Sequence, residues 1–395
     1  MTGRPSRGTV MRGAASPAPA SGATPSRALP TNPRVVVSGA GAAGIAAARA
    51  LIAAGLEVAV IEAADRIGGR ASTDADALGQ PIGGGAIWLQ GPADMPLLAL
   101  AREAGLGLHD HAGARAVCLV GDRRADAGER RLRDRAWAAV HGALEAAEGD
   151  VAAASVLSWE ASFVESVAIR IQPMDFGVDM DAPSTADWAS CADSETNHLA
   201  REGSGARLAR MGEGLSLRLR TAARAVDWSP NAFVSHAVDD PMPAEACCFL
   251  ALPTGHDYVA GFAGGAFGRA LEREGEAAAV AFAPDRFAAT LGEDVRKRFR
   301  RGLMSGWDAN PLTRGAYRAA RPGGFAACAA KAEPLGDRVF FAGEAMATPF
   351  AALVSGAQMQ GAQGAETVAR TLDAPGCRGC AARGAAKARA RETDR

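Results

Sequence analysis

Apolar positions along this chain fall into runs whose period changes at glycines. Residues 34–38 read RVVVS, a β-branched run bounded by Pro33 and Gly39, with the length and residue types of a buried parallel strand. GAGAAG follows over residues 39–44 and opens an Ala/Leu/Ile-rich stretch over 45–54. These are strong helix formers, and Gly55 supplies the stop. Residues 57–62, EVAVIE, form a second apolar strand that ends in a carboxylate. The pattern predicts a complete strand–helix–strand unit and with it an α/β fold on a parallel sheet. Further on, residues 277–300 pattern as an amphipathic helical region, and RVFF over 338–341 as a late strand. Runs such as 42–54 fall short of the ~20 apolar residues that a membrane-spanning helix needs.

Composition changes this picture little. The 395 residues, 48% hydrophobic and 22% charged with a formal net charge of -1, describe a soluble globular chain with room for two or three domains, discontinuous ones included. Charges of both signs are mixed along most of the chain, which leaves no continuous basic face for nucleic acid or anionic lipid. Seven cysteines without a disulfide rhythm suggest a reducing, cytoplasmic compartment. Cys377 and Cys380 have CxxC spacing but no second pair or neighbouring His; they read as a metal-ligand pair or, the blander reading, as two loose thiols, and no metal site is expected. Residues 1–33 contain no acid and read as a disordered leader, and residues 373–395 as a mobile tail.

The glycine run carries chemistry as well as a turn. Gly39 permits the tight bend, Gly41 lets a pyrophosphate approach the backbone beside Ala43, and Gly44 lets the helix pack closely on the strand. The helix N-terminus then offers free N–H groups and the positive dipole end to the phosphates. Glu62 closes the second strand at the distance expected of a carboxylate that accepts hydrogen bonds from a ribose diol, and it would repel the 2′-phosphate of NADP.

Three further segments decide between dinucleotides. ADRIGGRAS over 64–72 resembles the R-x-G-G-R extension of the flavin-containing amine oxidase family, with Arg66, Gly69 and Arg70 in the positions that wrap the cofactor pyrophosphate. IGGGAIW over 82–88 is similar to the family's G-A-x-W strip, so Gly85, Ala86 and Trp88 are placed beneath the flavin ring. RVFFAGEA over 338–345, followed by residues 348–357, resembles the closing signature of the same family. The resemblance places Gly343, Glu344 and Val354 at the cofactor, the last at a helix start that stabilises negative charge on reduced flavin. It extends to Ala223 in the segment 217–228, and to the W-x-x-x-P-x-x-x-G-x-Y segment of residues 307–317. Trp88, Trp307 and Tyr317 are the substrate-cavity candidates, although a buried, hydrogen-bonded tyrosine is the commoner fate of a residue such as Tyr317.

The resemblance implies one FAD, held by a discontinuous Rossmann-like domain of residues 34–113, 205–229 and 337–372. A mixed α+β substrate domain takes 114–204 and 230–336. It further implies hydride transfer from an amine to flavin, with imine and peroxide as products and molecular oxygen as electron acceptor. Two departures stand against full activity. Only residues 229–247 fill a stretch where the family places several strands, and no lysine occurs before Lys297, so the family's water-holding lysine is missing. Gln358 stands where the family often has a cage aromatic. A non-catalytic FAD-binding member and an oxidoreductase with a non-amine hydride donor are the alternatives.

Overall fold

The fold is that of a computed structural model, which describes residues 28–372 except 92–97, 99–100, 103–106, 112–118, 121–122, 162, 172–175, 192–195, 222–247, 252–255, 257, 292, 294–295 and 298. Ala223, the short middle segment and the Cys377/Cys380 pair therefore lie outside the described residues. The first half comprises β1 (Val35–Ser38), α1 (Ala42–Ala53), β2 (Val58–Ile61), β3 (Thr73–Asp74), β4 (Ile82–Gly83), β5 (Trp88–Gly91), β6 (Leu108–Asp110), β7 (Leu119–Val120), β8 (Arg123–Arg124), α2 (Ala127–Glu145), α3 (Val164–Ile169) and α4 (Thr185–Ser190). The second comprises β9 (Thr196–Ala200), α5 (Ser204–Met211), β10 (Leu217–Arg218), β11 (Cys248–Ala251), β12 (Val259–Phe262), α6 (Gly265–Glu274), α7 (Glu276–Leu291), α8 (Ala327–Ala330) and α9 (Val354–Thr371).

The expected strand–helix–strand unit forms. β1 and β2 pair in parallel from Val35↔Val58 to Ser38↔Ile61, and β10 adds to the other side of β2. β2 is buried as the central strand. β1 is an edge strand among the described residues, with Val36 55% exposed, so the reading of residues 34–38 as a fully buried strand does not hold. α1 covers the sheet through Ile45, Ala48 and Leu51, and α9 lies across α1. The crossing is close because Gly361 has no side chain: a Cβ there would sit 2.1 Å from the Ala43 carbonyl oxygen. Leu208 and Met211 of α5 close the same core.

A second core belongs to α2 and α3. α2 starts with a capping box, in which Asp126 accepts from Glu129 N (2.9 Å) and Glu129 accepts from Asp126 N (2.8 Å). Its Ala136, Val140 and Leu144 recur every four residues and pack on Val164, Val167 and Ala168. A buried ion pair ties this helical part to the strap that follows Tyr317. Asp187 takes Arg318 Nη1 at 2.5 Å and the Ala320 amide at 2.6 Å, and Ser184 Oγ accepts from Asp187 N at 2.9 Å. Burial, and next the Asp187 carboxylate, push the Cys191 thiol up to about 11 and keep it protonated.

Residues 338–341 form no strand. Gly336–Arg338 is a 3-10 turn, and Val339 is bonded back to Leu335, so the extended run closes on itself instead of joining the parallel sheet. The helix expected over 277–300 ends at Leu291 and contains Pro284.

Candidate functional site

Gly39 adopts φ +101°, as a tight turn off β1 requires. A Cβ on Gly44 would meet the Gly39 carbonyl oxygen at 1.9 Å and Val37 Cγ1 at 3.3 Å, so the third glycine of the fingerprint is what lets α1 reach the strand. Gly41 differs. A Cβ there would have 4.0 Å to its nearest neighbour, Gly69 Cα, so its bareness serves no contact within the protein and leaves room for a ligand.

The segment after β2 folds back over that turn. Gly68 N donates to Ala40 O at 2.9 Å and Gly41 bridges Gly68 in parallel, so two glycine-rich strips lie paired side by side on the cleft. Glu62, 9% exposed, accepts from Ala40 N (2.6 Å) and Ala64 N (2.8 Å). The carboxylate fastens the turn to the end of β2, and each oxygen keeps a lone pair for another donor. Arg66 braces the Gly68–Gly69 bend from its own backbone, giving Nη1 to Ile67 O (3.2 Å) and Gly69 O (3.0 Å). Burial lowers its pKa, against the pull of Asp65 and Glu62, and leaves it charged.

Arg70 reaches across the chain. Its Nη1 meets Glu344 Oε1 at 3.0 Å and Ala316 O at 2.9 Å, and Glu344 Oε2 takes the Ala352 amide at 2.9 Å. The first and last signature segments are thus joined by one ion pair. Next to it, Gly84 N donates to Ser72 O and Ala86 N to Arg70 O, each at 3.1 Å. A Cβ on Gly85 would strike Arg70 O at 2.0 Å and Trp307 Cζ2 at 2.7 Å, so the Trp307 ring lies directly on the strip.

These parts line one cleft of about 2010 Å³. That exceeds the ~300–1,000 Å³ of ordinary small-molecule sites and leaves room for a dinucleotide and a second molecule. Gly39, Gly41, Ala43, Gly44, Glu62, Arg66, Gly69, Arg70, Gly85, Ala86, Trp88, Gly343, Glu344 and Val354 all line it, as do Trp307 and Tyr317. Val354 begins α9, whose N-terminus therefore opens on the cleft. Trp88 donates to His111 Nδ1 at 3.2 Å, and its ring centroid is 5.5 Å from Phe262. The Tyr317 ring lies against Gly177, where a Cβ would sit 3.2 Å from the ring. Gln358, half-buried on α9, does not line the cleft, whereas Ala357 does.

Two further lining residues were not among the sequence candidates for the site. Tyr258 is hydrogen-bonded to the backbone of Gly83, and burial raises its pKa. Glu272 of α6 accepts from the amides of Trp307 (3.1 Å), Asp308 (3.1 Å) and Ala309 (2.8 Å) and so fixes the turn that carries Trp307. Among the described residues no group of three or more His, Cys, Asp or Glu is placed to hold a metal ion, and no helix is long and apolar enough to cross a membrane.

The family model described as flavin containing amine oxidoreductase matches residues 42–247 and 243–369, two stretches that meet inside the short middle segment. Polyamine oxidase 1 of Oryza sativa subsp. japonica is 54% identical over 76 residues, 18% of this chain and 15% of that protein. Putrescine oxidase of Kocuria rosea is 53% identical over 73 residues, again 18% of this chain and 15% of its own length. The chain thus matches only a small part of these curated relatives. Among solved structures, wild-type putrescine oxidase bound to putrescine shares the fold with a TM-score of 0.62 at 20% identity, over 84% of this chain and 98% of that one. Cyclohexylamine oxidase from Brevibacterium oxydans gives a TM-score of 0.57 at 17% identity, over 86% and 99%.

Proposed function

Because the chain belongs to the flavin-containing amine oxidoreductase family, we propose that it binds FAD along the glycine-lined floor of the cleft and oxidises an amine held above it. The observation that carries this reading is the convergence of residues 39–44, 66–70 and 343–354, far apart in sequence, on one cleft. The residues present fit a dinucleotide: Gly41 and Gly69 offer a surface without side chains that a pyrophosphate can approach, and the buried Glu62 carboxylate has acceptor capacity left for a ribose diol. FAD, when bound, accepts a hydride from the carbon beside a neutral amine nitrogen, the resulting imine being hydrolysed by water and the electrons passing to oxygen to give peroxide.

The protein's share is positioning and electrostatics. The N-termini of α1 and α9 both open on the cleft, where the first would hold the phosphates of FAD and the second would stabilise negative charge on the reduced ring. The Arg70–Glu344 pair ties the segment after β2 to the turn that precedes α9. Trp307, seated on Gly85, would shield that strip from water with FAD bound. In this reading residues 34–113, 205–229 and 337–372 form the FAD domain, residues 114–204 and 230–336 hold the substrate, and the cysteine usage supports a cytoplasmic setting.

Glu62→Ala is expected to weaken FAD binding by about 10- to 150-fold, the loss of charged-acceptor hydrogen bonds worth ~1.5–3 kcal/mol. Titration of the apoprotein with FAD, followed at the flavin band near ~450 nm, measures it. Unchanged affinity would remove Glu62 from the ribose site.

The missing lysine favours slow turnover. Hydride transfer needs only a donor carbon ~3–3.5 Å from its acceptor, so the cleft retains activity without that residue. Mixing flavin-loaded protein anaerobically with primary, secondary and polyamines is expected to bleach the flavin at rates below the ~1–10³ per second of ordinary enzymes. No bleaching with any amine at full flavin occupancy would reject amine oxidation.

A further inference from the structure

We propose that the amine taken by this cleft carries an anionic group, a carboxylate or phosphate, at the end remote from the reacting nitrogen; the proposal rests on the amine-oxidation reading above. Its basis is the charge that residues 300 and 301 bring to the cleft lining. The sequence run RKRFRR over residues 296–301 is the densest basic stretch of the chain. Diluted over the whole length it offers no basic face, but the fold brings Arg300 and Arg301 to the cleft, both exposed. Arg301 reaches Gly79, another lining residue: a Cβ there would sit 3.4 Å from its Nη2. Among the described residues no carboxylate pairs with Arg300 or Arg301.

The acids of the lining do not offset them. Glu272 spends both carboxylate oxygens on the amides of residues 307–309. Of the other carboxylates that line the cleft, Glu62 holds the glycine turn and Glu344 is paired with Arg70, which leaves Asp308. A diamine would therefore place its distal ammonium against a cationic lining, which costs like-charge repulsion. A carboxylate or phosphate meets guanidinium forks of matching geometry. Long-range attraction to the same arginines also speeds the approach of an anionic substrate.

The test uses four amines of similar length on the flavin-loaded protein: butylamine, putrescine, 4-aminobutyrate and 3-aminopropylphosphonate. Dissociation constants come from the perturbation of the flavin spectrum under anaerobic conditions, independently of any bleaching. The two anionic amines are expected to bind on the order of tenfold tighter than putrescine, with a gap that shrinks as salt rises from about 0.01 M to about 1 M. The double variant Arg300→Gln/Arg301→Gln is expected to abolish the preference while flavin content stays unchanged. Whichever of carboxylate and phosphonate binds tighter identifies the natural group. Equal or tighter binding of putrescine, or a preference that survives in the double variant, would overturn the proposal. Arginine-dependent binding of the anionic amines without bleaching by any amine would uphold the anion site and reject amine oxidation instead.

Discussion

Asp187→Ala is expected to destabilise the protein by ~3–5 kcal/mol, the cost of leaving one member of a buried ion pair without its counter-charge. The pair is inaccessible, with Asp187 3% and Arg318 6% exposed at the side chain, so solvent does not screen the orphaned guanidinium. The carboxylate also holds the Ala320 amide, which loses its partner at the same time. Urea unfolding reads the loss as a lower midpoint at constant slope. A paired substitution, Asp187→Leu with Arg318→Met, is expected to recover much of the stability, since no buried charge is then left over. A loss under ~1 kcal/mol in the single variant, the range of exposed pairs, would show that water reaches the site. Because Arg318 follows Tyr317, the single variant is also expected to loosen that wall of the cleft.

The second large effect separates two glycines that the sequence presents alike. Gly41→Val is expected to leave the fold intact and to cut FAD affinity by on the order of 100-fold or more, about 2.7 kcal/mol. Its backbone is extended at φ -78°, ψ -174°, which valine accepts, and the nearest atom to a Cβ is 4.0 Å away. The new side chain takes up the room left for a ligand and nothing else. Gly44→Val is expected to fail earlier, because its Cβ would overlap the Gly39 carbonyl at 1.9 Å. That goes beyond the ~1–3 kcal/mol typical of overpacking, and the helix must leave the strand. Thermal melts of both apoproteins, with FAD titration of those that fold, distinguish the two. A Gly41→Val protein that binds FAD normally would refute the placement of the pyrophosphate.

What the sequence by itself determined is local. β-branched runs on either side of a glycine turn and an alanine-rich helix dictate β1, α1 and β2, because strand and helix preferences and the φ of Gly39 are set by neighbours a few residues away. The resemblance of the later segments then named the cleft residues, and all of those within the described residues line it. Tertiary structure decided the rest, since contacts across hundreds of residues leave no periodic trace. Nothing in the spacing announces that Arg70 turns to Glu344 rather than outward, that Glu272 caps the turn of Trp307, or that Gly361 meets Ala43. The same reason explains the errors. Residues 338–341 have the composition of a strand, but a strand exists only where a partner edge is available, and here the chain pairs Val339 with Leu335. Charge behaves likewise: a basic run reads as ordinary surface until the fold sets Arg301 beside Gly79 in the lining of a cleft.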